Sequence, residues 1–302
     1  MVMNDFAAYL KRNTYSESTI ETYTSIIDTF LKWCNQKGYD VECMTYKQCT
    51  NYFKALQRKK TKKQSQLTDT TIKSYTGAIK VYFNYLVSED VYTVSPIEDY
   101  NYVITKGFEH ELLSAKELEL LYICFPTLDI QLSNCKHVAI RNKVITGFMV
   151  YQGLDTHILK RLTTDHINLD KQKLHIPGTK TTEPKTYKLK LEQIPVLRQY
   201  LFEDRAMLQN KINNHSEALF PLNSNRFSII TNQVVKVLKT INYKVTNSNQ
   251  IRASVIALWV QQDDLRTAQK KARHRFITST ENYKKYDPNA NRSAADVYHL
   301  MR

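Results

Sequence analysis

The chain of 302 residues is long enough for two domains, each burying its own hydrophobic core. A net charge of +14 and a pI of about 9.4 indicate a polyanionic partner, either nucleic acid or an anionic membrane surface. The sequence has no apolar run of the roughly 18 residues that span a bilayer, no signal peptide and no glycine-rich phosphate loop. These features argue against membrane-spanning proteins, secreted proteins and nucleotide hydrolases.

The number and spacing of the cysteines argue against disulfides and against a zinc site. There are five, an odd count, and none forms a Cys-x-x-Cys pair. We therefore expect neither a disulfide framework nor a zinc site, and we expect the protein to reside in a reducing cytoplasm.

The first hundred residues predict a helical bundle. Apolar residues repeat at helical spacing from Ile20 to Cys34 and from Ile72 to Leu86, and a third helix is expected between them at 46–57. Ser18 is the expected cap of the first of these helices. The predicted domain covers residues 1–96.

A basic run follows the third helix of this predicted bundle. Its five cations are Arg58, Lys59, Lys60, Lys62 and Lys63. Such a run is either a solvated loop or a set of contacts to phosphate groups, and the sequence leaves both interpretations open.

A second domain is predicted from residue 112 to residue 302. Pro96 ends the bundle, and 97–111 shows no helical period, which is typical of an interdomain linker. Ser114 and Glu117 then have the spacing of a capping box, which predicts the first helix of the second domain.

One β-hairpin is expected within this mostly helical second domain. Leu174 and Ile176 alternate with polar residues before Pro177-Gly178, and alternation resumes at Tyr187. Lys180 lies in the connection between the two predicted strands.

The C-terminal part carries an arginine, a histidine and a tyrosine at a distinctive spacing. Arg252 is predicted in the first turn of a helix that Asn249 is able to cap, His274 follows the next helix, and Tyr283 lies nine residues later on a short helix starting at Thr278. A cation, an imidazole and a phenol together suit the attack of a tyrosine on a phosphodiester whose oxygens are held by donors.

This pattern resembles the second catalytic box of the tyrosine recombinases, the phage-integrase family. It is similar in particular to the Bacteroidetes-type integrases, whose second box also reads Gln-Ile-Arg-Ala-Ser, here 250–254. The resemblance implies a mainly α fold with an N-terminal SAM-like helical core-binding domain. It also implies a mixed α/β catalytic domain that contains a small β-sheet.

The resemblance also implies residue roles. Tyr283 would form a 3′-phosphotyrosyl link, Arg252 and His274 would bind the scissile phosphate with help from Asn249, and Lys180 would protonate the leaving 5′-hydroxyl. Neither metal nor cofactor is needed in such a reaction. Lys185 competes with Lys180 for its role, and Tyr286 competes with Tyr283.

Further expectations concern partners. By resemblance, double-stranded DNA recombination sites are the substrate, and a tetramer assembles on them, with a DNA-bending or recombinase accessory as an additional partner and no membrane association. The tail 287–302 would dock onto a neighbouring subunit.

The first box departs from the family pattern. The segment Tyr151-Gln152-Gly153-Leu154 is followed by Asp155, where the family has an arginine. Losing one such donor costs about 2.7–4 kcal/mol of transition-state stabilisation, and an aspartate would also repel phosphate. Three nearby residues could substitute for the missing arginine, namely His157, Lys160 and Arg161. Arg161, however, is six residues further along the predicted helix and should face elsewhere.

Three alternatives to a fully active recombinase stay open. The first is a catalytically impaired, DNA-binding accessory relative, and the second is an enzyme similar to type IB topoisomerases. The third is a basic protein of the membrane surface.

Overall fold

The computed structural model describes residues 2–60, 65–103, 111–127, 133–179, 182–222 and 227–286. The chain divides into two units, Met1–Glu109 and His110–Arg302, which are described in turn. Four parts of the predictions lie outside the described residues, namely Lys180, the pair Lys62 and Lys63, residues 104–110 of the predicted linker, and the tail 287–302.

Helices make up the regular structure described in the first unit, as the sequence predicts. They are α1 (Val2–Arg12), α2 (Glu17–Lys37), α3 (Tyr46–Arg58) and α4 (Asp69–Ser88). The cap of α2 is Ser16 and not Ser18, because α2 begins at Glu17 and the Ser16 side chain accepts a hydrogen bond from the Thr19 amide.

Aromatic rings fill much of the core of this unit. Phe30 contacts Tyr52 and Phe83 edge-on, and such rings bury a large apolar area in a specific geometry. Ile97 is completely buried in the same core, and the Tyr100 ring stacks on Phe53. The first residues of the range predicted as a linker therefore pack against the helices of the first unit.

The second unit combines helices with a small antiparallel sheet. Its strands are β1 (Ile167–Asn168), β2 (Lys173–Ile176) and β3 (Lys185–Lys188), paired in the order β1-β2-β3. The predicted hairpin is confirmed as β2 and β3, with Leu174 opposite Tyr187. Strand β1 was not predicted, because two residues are too few to show alternation.

The helices of the second unit surround a long central one. Helix α6 packs against α5, α8, α10 and α11, and its apolar side chains point in several directions, as expected for a buried helix. The described α-helices are α5 (Ala115–Ile123), α6 (Ser133–Gln152), α7 (Thr156–Lys160), α8 (Gln193–Gln199), α9 (Arg205–Ile212), α10 (Phe227–Ile241), α11 (Ser248–Gln262), α12 (Leu265–Ala272) and α13 (Thr278–Glu281). A π-helical stretch, Tyr200–Asp204, joins α8 to α9.

Two further findings concern these helices. The predicted capping box at the start of α5 is confirmed, since Ser114 accepts from the Glu117 amide and Glu117 accepts from the Ser114 amide. Within the described parts of the chain, no helix combines the length and apolar character needed to cross a membrane.

Helix α6 ends at a glycine that the backbone requires. Gly153 has φ +58°, a left-handed conformation that favours glycine, and the Leu154 amide donates back to the Phe148 carbonyl. A Cβ atom at position 153 would lie 3.1 Å from both Val255 Cγ1 and Trp259 Cη2 of α11. Gly153 therefore both reverses the chain and permits close contact with α11.

Replacing Gly153 by alanine should lower the free energy of unfolding by about 1–3 kcal/mol, because it combines a strained φ with two close contacts. The matched control is Gly77→Ala in the interior of α4, where an added Cβ meets nothing within 4 Å. That change should raise stability by up to about 1 kcal/mol. Urea unfolding measures both, and equal effects of the two substitutions would contradict the interpretation of Gly153.

Candidate active site

Arg252 lies in the second turn of α11. The helix starts at Ser248 and is capped by Asn247, whose side chain accepts a hydrogen bond from the Gln250 amide at 2.9 Å. The prediction that Asn249 caps this helix, with Arg252 in its first turn, was therefore wrong. Asn249 lies in the first turn and is exposed to solvent.

The guanidinium of Arg252 connects three segments of the second unit. It donates hydrogen bonds to the carbonyls of Gly153 and Ala272, the latter at 2.7 Å. Its Nε lies 3.8 Å from a carboxylate oxygen of Asp155. The ends of α6 and α12 and the start of α7 therefore converge on one cation.

Asp155 has a local role in this arrangement. One carboxylate oxygen accepts a hydrogen bond from the Ile158 amide at 2.9 Å, so Asp155 caps α7, and the other faces Arg252. Negative charge at a helix N-terminus is favoured by the helix dipole. The residue that departs from the family's arginine thus has two structural partners.

A cavity of about 230 Å³ opens beside Asp155. Its lining includes three arginines, Arg161, Arg252 and Arg273, together with Thr179 and Thr182 of the β2–β3 connection. The prediction that Arg161 faces elsewhere was wrong. Helix α7 ends at Lys160, so helical periodicity does not set the direction of Arg161.

Arg273 links the hairpin to the end of α12. It terminates α12 in a left-handed conformation with φ 56°, which costs a residue other than glycine about 1–3 kcal/mol. Its guanidinium donates to the Pro177 carbonyl at 2.8 Å and to the Thr182 hydroxyl at 3.1 Å. The Tyr187 hydroxyl of β3 also joins the hairpin to α12, because it donates a hydrogen bond to the Lys271 carbonyl at 2.6 Å.

His274 is held by a buried hydroxyl. Its Nδ1 lies 2.9 Å from Oγ1 of Thr280, a fully buried residue. Burial, followed by the nearby cation of Arg252, lowers the pKa of His274 to about 4. The imidazole is therefore neutral at pH 7. In the tautomer whose Nδ1 accepts from the Thr280 hydroxyl, Nε2 carries the proton and is a hydrogen-bond donor.

Tyr283 stacks on this imidazole. The two ring centroids are 6.1 Å apart and the planes are inclined by 20°. Burial raises the pKa of the Tyr283 phenol, while the Arg252 cation opposes that rise. Tyr286 lies beside it, with ring centroids 6.5 Å apart.

The local structure around Tyr283 differs from the prediction. Helix α13 ends at Glu281, so Tyr283 lies in the turn that follows and not on the helix. The predicted capping box of Thr278 does not form, because Thr278 is already helical and Ile277 precedes it without a side-chain cap. The Tyr283 amide donates to the Thr280 carbonyl at 3.0 Å, which fixes the turn beside His274.

Two lysines, Lys180 and Lys185, are candidates for protonating the leaving 5′-hydroxyl. Lys180 lies outside the described residues, but its neighbours Thr179 and Thr182 pair through backbone hydrogen bonds and line the cavity. Lys185 lies on β3 opposite Ile176.

In the first unit, the described cations of the basic run are exposed. Arg58 is the last residue of α3, Lys59 follows it, and Lys60 pairs with Gln66. Arg58 and Lys59 also line a groove of about 630 Å³ together with Trp33. These side chains are accessible to a polyanion.

We expect the His274 imidazole to titrate near pH 4. Because an unfolded histidine titrates at about 6.5, the stability contributed by its neutral form is complete above that pH and is lost as the pH falls toward 4. An NMR titration of the imidazole nitrogens measures this pKa, with His274→Gln to assign the signal. Titration at or above pH 6.5 would contradict the buried, neutral state.

Substitutions of Asp155 separate its cap from its charge. Asparagine is an equally good N-cap, so Asp155→Asn should change the free energy of unfolding by less than about 0.5 kcal/mol. Asp155→Ala should cost about 1 kcal/mol, because the Ile158 amide loses its acceptor. Urea unfolding measures both, and an equal loss in the two variants would show that the ion pair, and not the cap, stabilises the fold.

Known structures share this fold at low sequence identity. XerH site-specific recombinase bound to palindromic difH substrate aligns over 93% of this chain and 80% of its own, with a TM-score of 0.71 and 16% identity. The Tn1549 transposon integrase in complex with transposon right end DNA aligns over 100% and 99%, with a TM-score of 0.66 and 13% identity. A lambda integrase tetramer bound to a Holliday junction aligns over 93% and 76%, with a TM-score of 0.60 and 12% identity.

Sequence comparisons place the chain in a family. A tyrosine recombinase of Thermosipho africanus (strain TCF52B) is 22% identical over 200 residues, which cover 66% of this chain and 65% of that protein. The match thus spans slightly less than two thirds of the relative's length. The phage integrase N-terminal SAM-like domain matches residues 2–93, and the phage integrase family model matches residues 114–290, more than half of the chain. The chain therefore belongs to the phage integrase family of tyrosine recombinases.

Proposed function

We propose that this protein is a site-specific DNA recombinase that cuts and rejoins DNA through a 3′-phosphotyrosyl intermediate. The observation that carries the proposal is the grouping of Arg252, His274 and Tyr283. The Tyr283 ring stacks on His274, and the Arg252 cation acts on both of their ionisable groups. A phenol, a neutral imidazole and a guanidinium are the groups needed for attack on a phosphodiester.

In the proposed reaction, the Tyr283 phenol loses its proton to solvent, its oxygen attacks the scissile phosphorus, and the bond to the 5′-oxygen breaks. The Arg252 cation favours the phenolate over the phenol, which opposes the effect of burial. The Nε2–H of His274 donates to a non-bridging oxygen as negative charge develops there. Attack by the 5′-hydroxyl of a partner strand reverses the step and releases Tyr283.

Two further residues have proposed roles. Lys180 protonates the leaving 5′-oxygen, a role supported by the presence of Thr179 and Thr182 in the cavity wall. Asn249 contributes an uncharged donor from the exposed first turn of α11. These two assignments come from the family pattern, whereas the grouping of Arg252, His274 and Tyr283 is supported by their contacts.

The proposed substrate is a double-stranded DNA recombination site. The net charge of +14 favours salt-sensitive binding to phosphate groups, and Arg58, Lys59 and Lys60 are exposed for such contacts. Lys62 and Lys63 extend the same basic run in the sequence. Since a lambda integrase of this fold binds a Holliday junction as a tetramer, we propose a tetramer on DNA here as well.

A second candidate function is that of a DNA-binding accessory relative with impaired catalysis. The observation in its favour is the approach of the Asp155 carboxylate to 3.8 Å from Arg252 Nε, since this carboxylate competes with phosphate for the same cation. The two functions differ in one outcome, which is the formation of a covalent bond between the protein and DNA.

The wild-type protein should form such an adduct, and Tyr283→Phe should abolish it because phenylalanine has no nucleophilic oxygen. The matched control, Tyr286→Phe, should retain adduct formation within a few-fold. A pool of nicked duplexes made from the source genome serves as substrate, and gel electrophoresis under denaturing conditions detects the covalent product. Sequencing the captured DNA then gives a defined substrate.

Two results would overturn parts of this proposal. An adduct that persists in Tyr283→Phe and disappears in Tyr286→Phe would reassign the nucleophile. If wild-type protein binds DNA but forms no adduct with any duplex in the pool, the accessory function replaces the recombinase.

A further inference from the structure

The cavity beside Asp155 has an excess of positive charge. Three guanidinium groups line it, from Arg161, Arg252 and Arg273, whereas Asp155 provides the one carboxylate among the described lining residues. Arg252 and Arg161 both lower the pKa of Arg273, in addition to the effect of burial. The cations are thus close enough to repel one another, and an anion in the cavity would relieve that repulsion.

The three arginines differ in how far their donors are already used. Arg252 donates to two backbone carbonyls and faces Asp155. Arg273 donates to the Pro177 carbonyl and the Thr182 hydroxyl. Arg161 is exposed and makes no side-chain hydrogen bond or ion pair with the residues described, so its donors are available to a ligand.

The backbone that carries Arg161 is nevertheless firmly held. Leu159 and Leu162, on either side of it, are buried in the core of the second unit. The Leu219 amide donates to the Leu162 carbonyl at 2.7 Å, and the Arg161 amide donates to the Ile158 carbonyl at 2.9 Å. A fixed backbone and an unengaged guanidinium suit a side chain that closes on a ligand.

We propose that Arg161 binds a non-bridging oxygen of the scissile phosphate and supplies the charge that is absent at position 155. An arginine in the family's first box acts from the start of this helix, whereas Arg161 acts from its end, into the same cavity. Asp155 caps the helix and faces Arg252. The inference rests on the proposed function, but its central element, a phosphate site that depends on Arg161, is testable without DNA.

The first experiment measures binding of inorganic phosphate by isothermal titration calorimetry at low ionic strength. Arg161→Ala should weaken binding about tenfold or more, because the phosphate loses a charge-assisted hydrogen bond. Lys211→Ala is the matched control, because it removes an exposed cation on α9 that does not line the cavity. The control should bind phosphate as the wild type does.

The second experiment measures the rate of adduct formation on the defined nicked duplex. Arg161→Ala should lower the rate about 10²–10³-fold, the loss expected for one donor to the transition state. Arg161→Lys should recover part of the rate, because it restores the charge without the planar pair of donors. A methylphosphonate at the scissile position removes one negative charge and should reduce the difference between Arg161→Ala and wild type.

The outcomes distinguish this inference from the proposed function. Unchanged phosphate binding in Arg161→Ala overturns the inference, whatever happens to the rate on DNA. The inference also fails if Arg161→Ala slows the reaction equally on the phosphate and methylphosphonate substrates. Arg161 would then support the folded structure and not bind the phosphate charge. If phosphate binding requires Arg161 but wild-type protein forms no adduct, the anion site stands and the recombinase proposal fails.

Discussion

The site in the second unit depends on the guanidinium of Arg252. Its hydrogen bonds to the carbonyls of Gly153 and Ala272 join the ends of α6 and α12, which are far apart in the sequence. A planar cation with several donors is suited to this task, because it satisfies carbonyl groups that a helix end leaves unpaired. The segment carrying His274 and Tyr283 begins directly after Ala272, so the same contacts set the starting point of that segment.

The same interaction depends on the glycine that ends α6. Gly153 has a positive φ and lacks a Cβ, which would lie 3.1 Å from both Val255 and Trp259 of α11, and its carbonyl accepts from Arg252 of the same helix. Asp155 then follows at the start of α7, where its carboxylate caps the helix and faces Arg252. The turn at Gly153 and the carboxylate of Asp155 therefore both meet Arg252, and they lie only two residues apart in the sequence.

Asp155, which stands where the family has an arginine, is one of several charged groups that line the cavity. A buried or half-buried cation needs an anionic or dipolar partner, and Arg252 has both. An aspartate here lowers the positive charge of the cavity, while Arg161 and Arg273 raise it. The electrostatic potential of the cavity therefore depends on all of these charged groups together, and not on the identity of one residue.

Local sequence patterns predicted the parts of this protein that local interactions determine. The apolar periodicity of α2 and α4, the capping box at Ser114 and the alternation of β2 and β3 each depend on residues a few positions apart, and each prediction was confirmed. The caps predicted for α2 and α11, Ser18 and Asn249, were wrong, because Ser16 and Asn247 lie two residues earlier and have the same capping chemistry. The helix start decided between them.

The sequence by itself determined the mainly helical fold, the small hairpin and the residue types that suit phosphodiester chemistry. Only the tertiary structure decided that Arg252 binds the carbonyls of Gly153 and Ala272, that Thr280 holds His274, and that His274 stacks on Tyr283. It also decided that Arg161 enters the cavity, because α7 ends one residue before it. Such contacts depend on where separate helices end and how they pack, and no local periodicity encodes those distances.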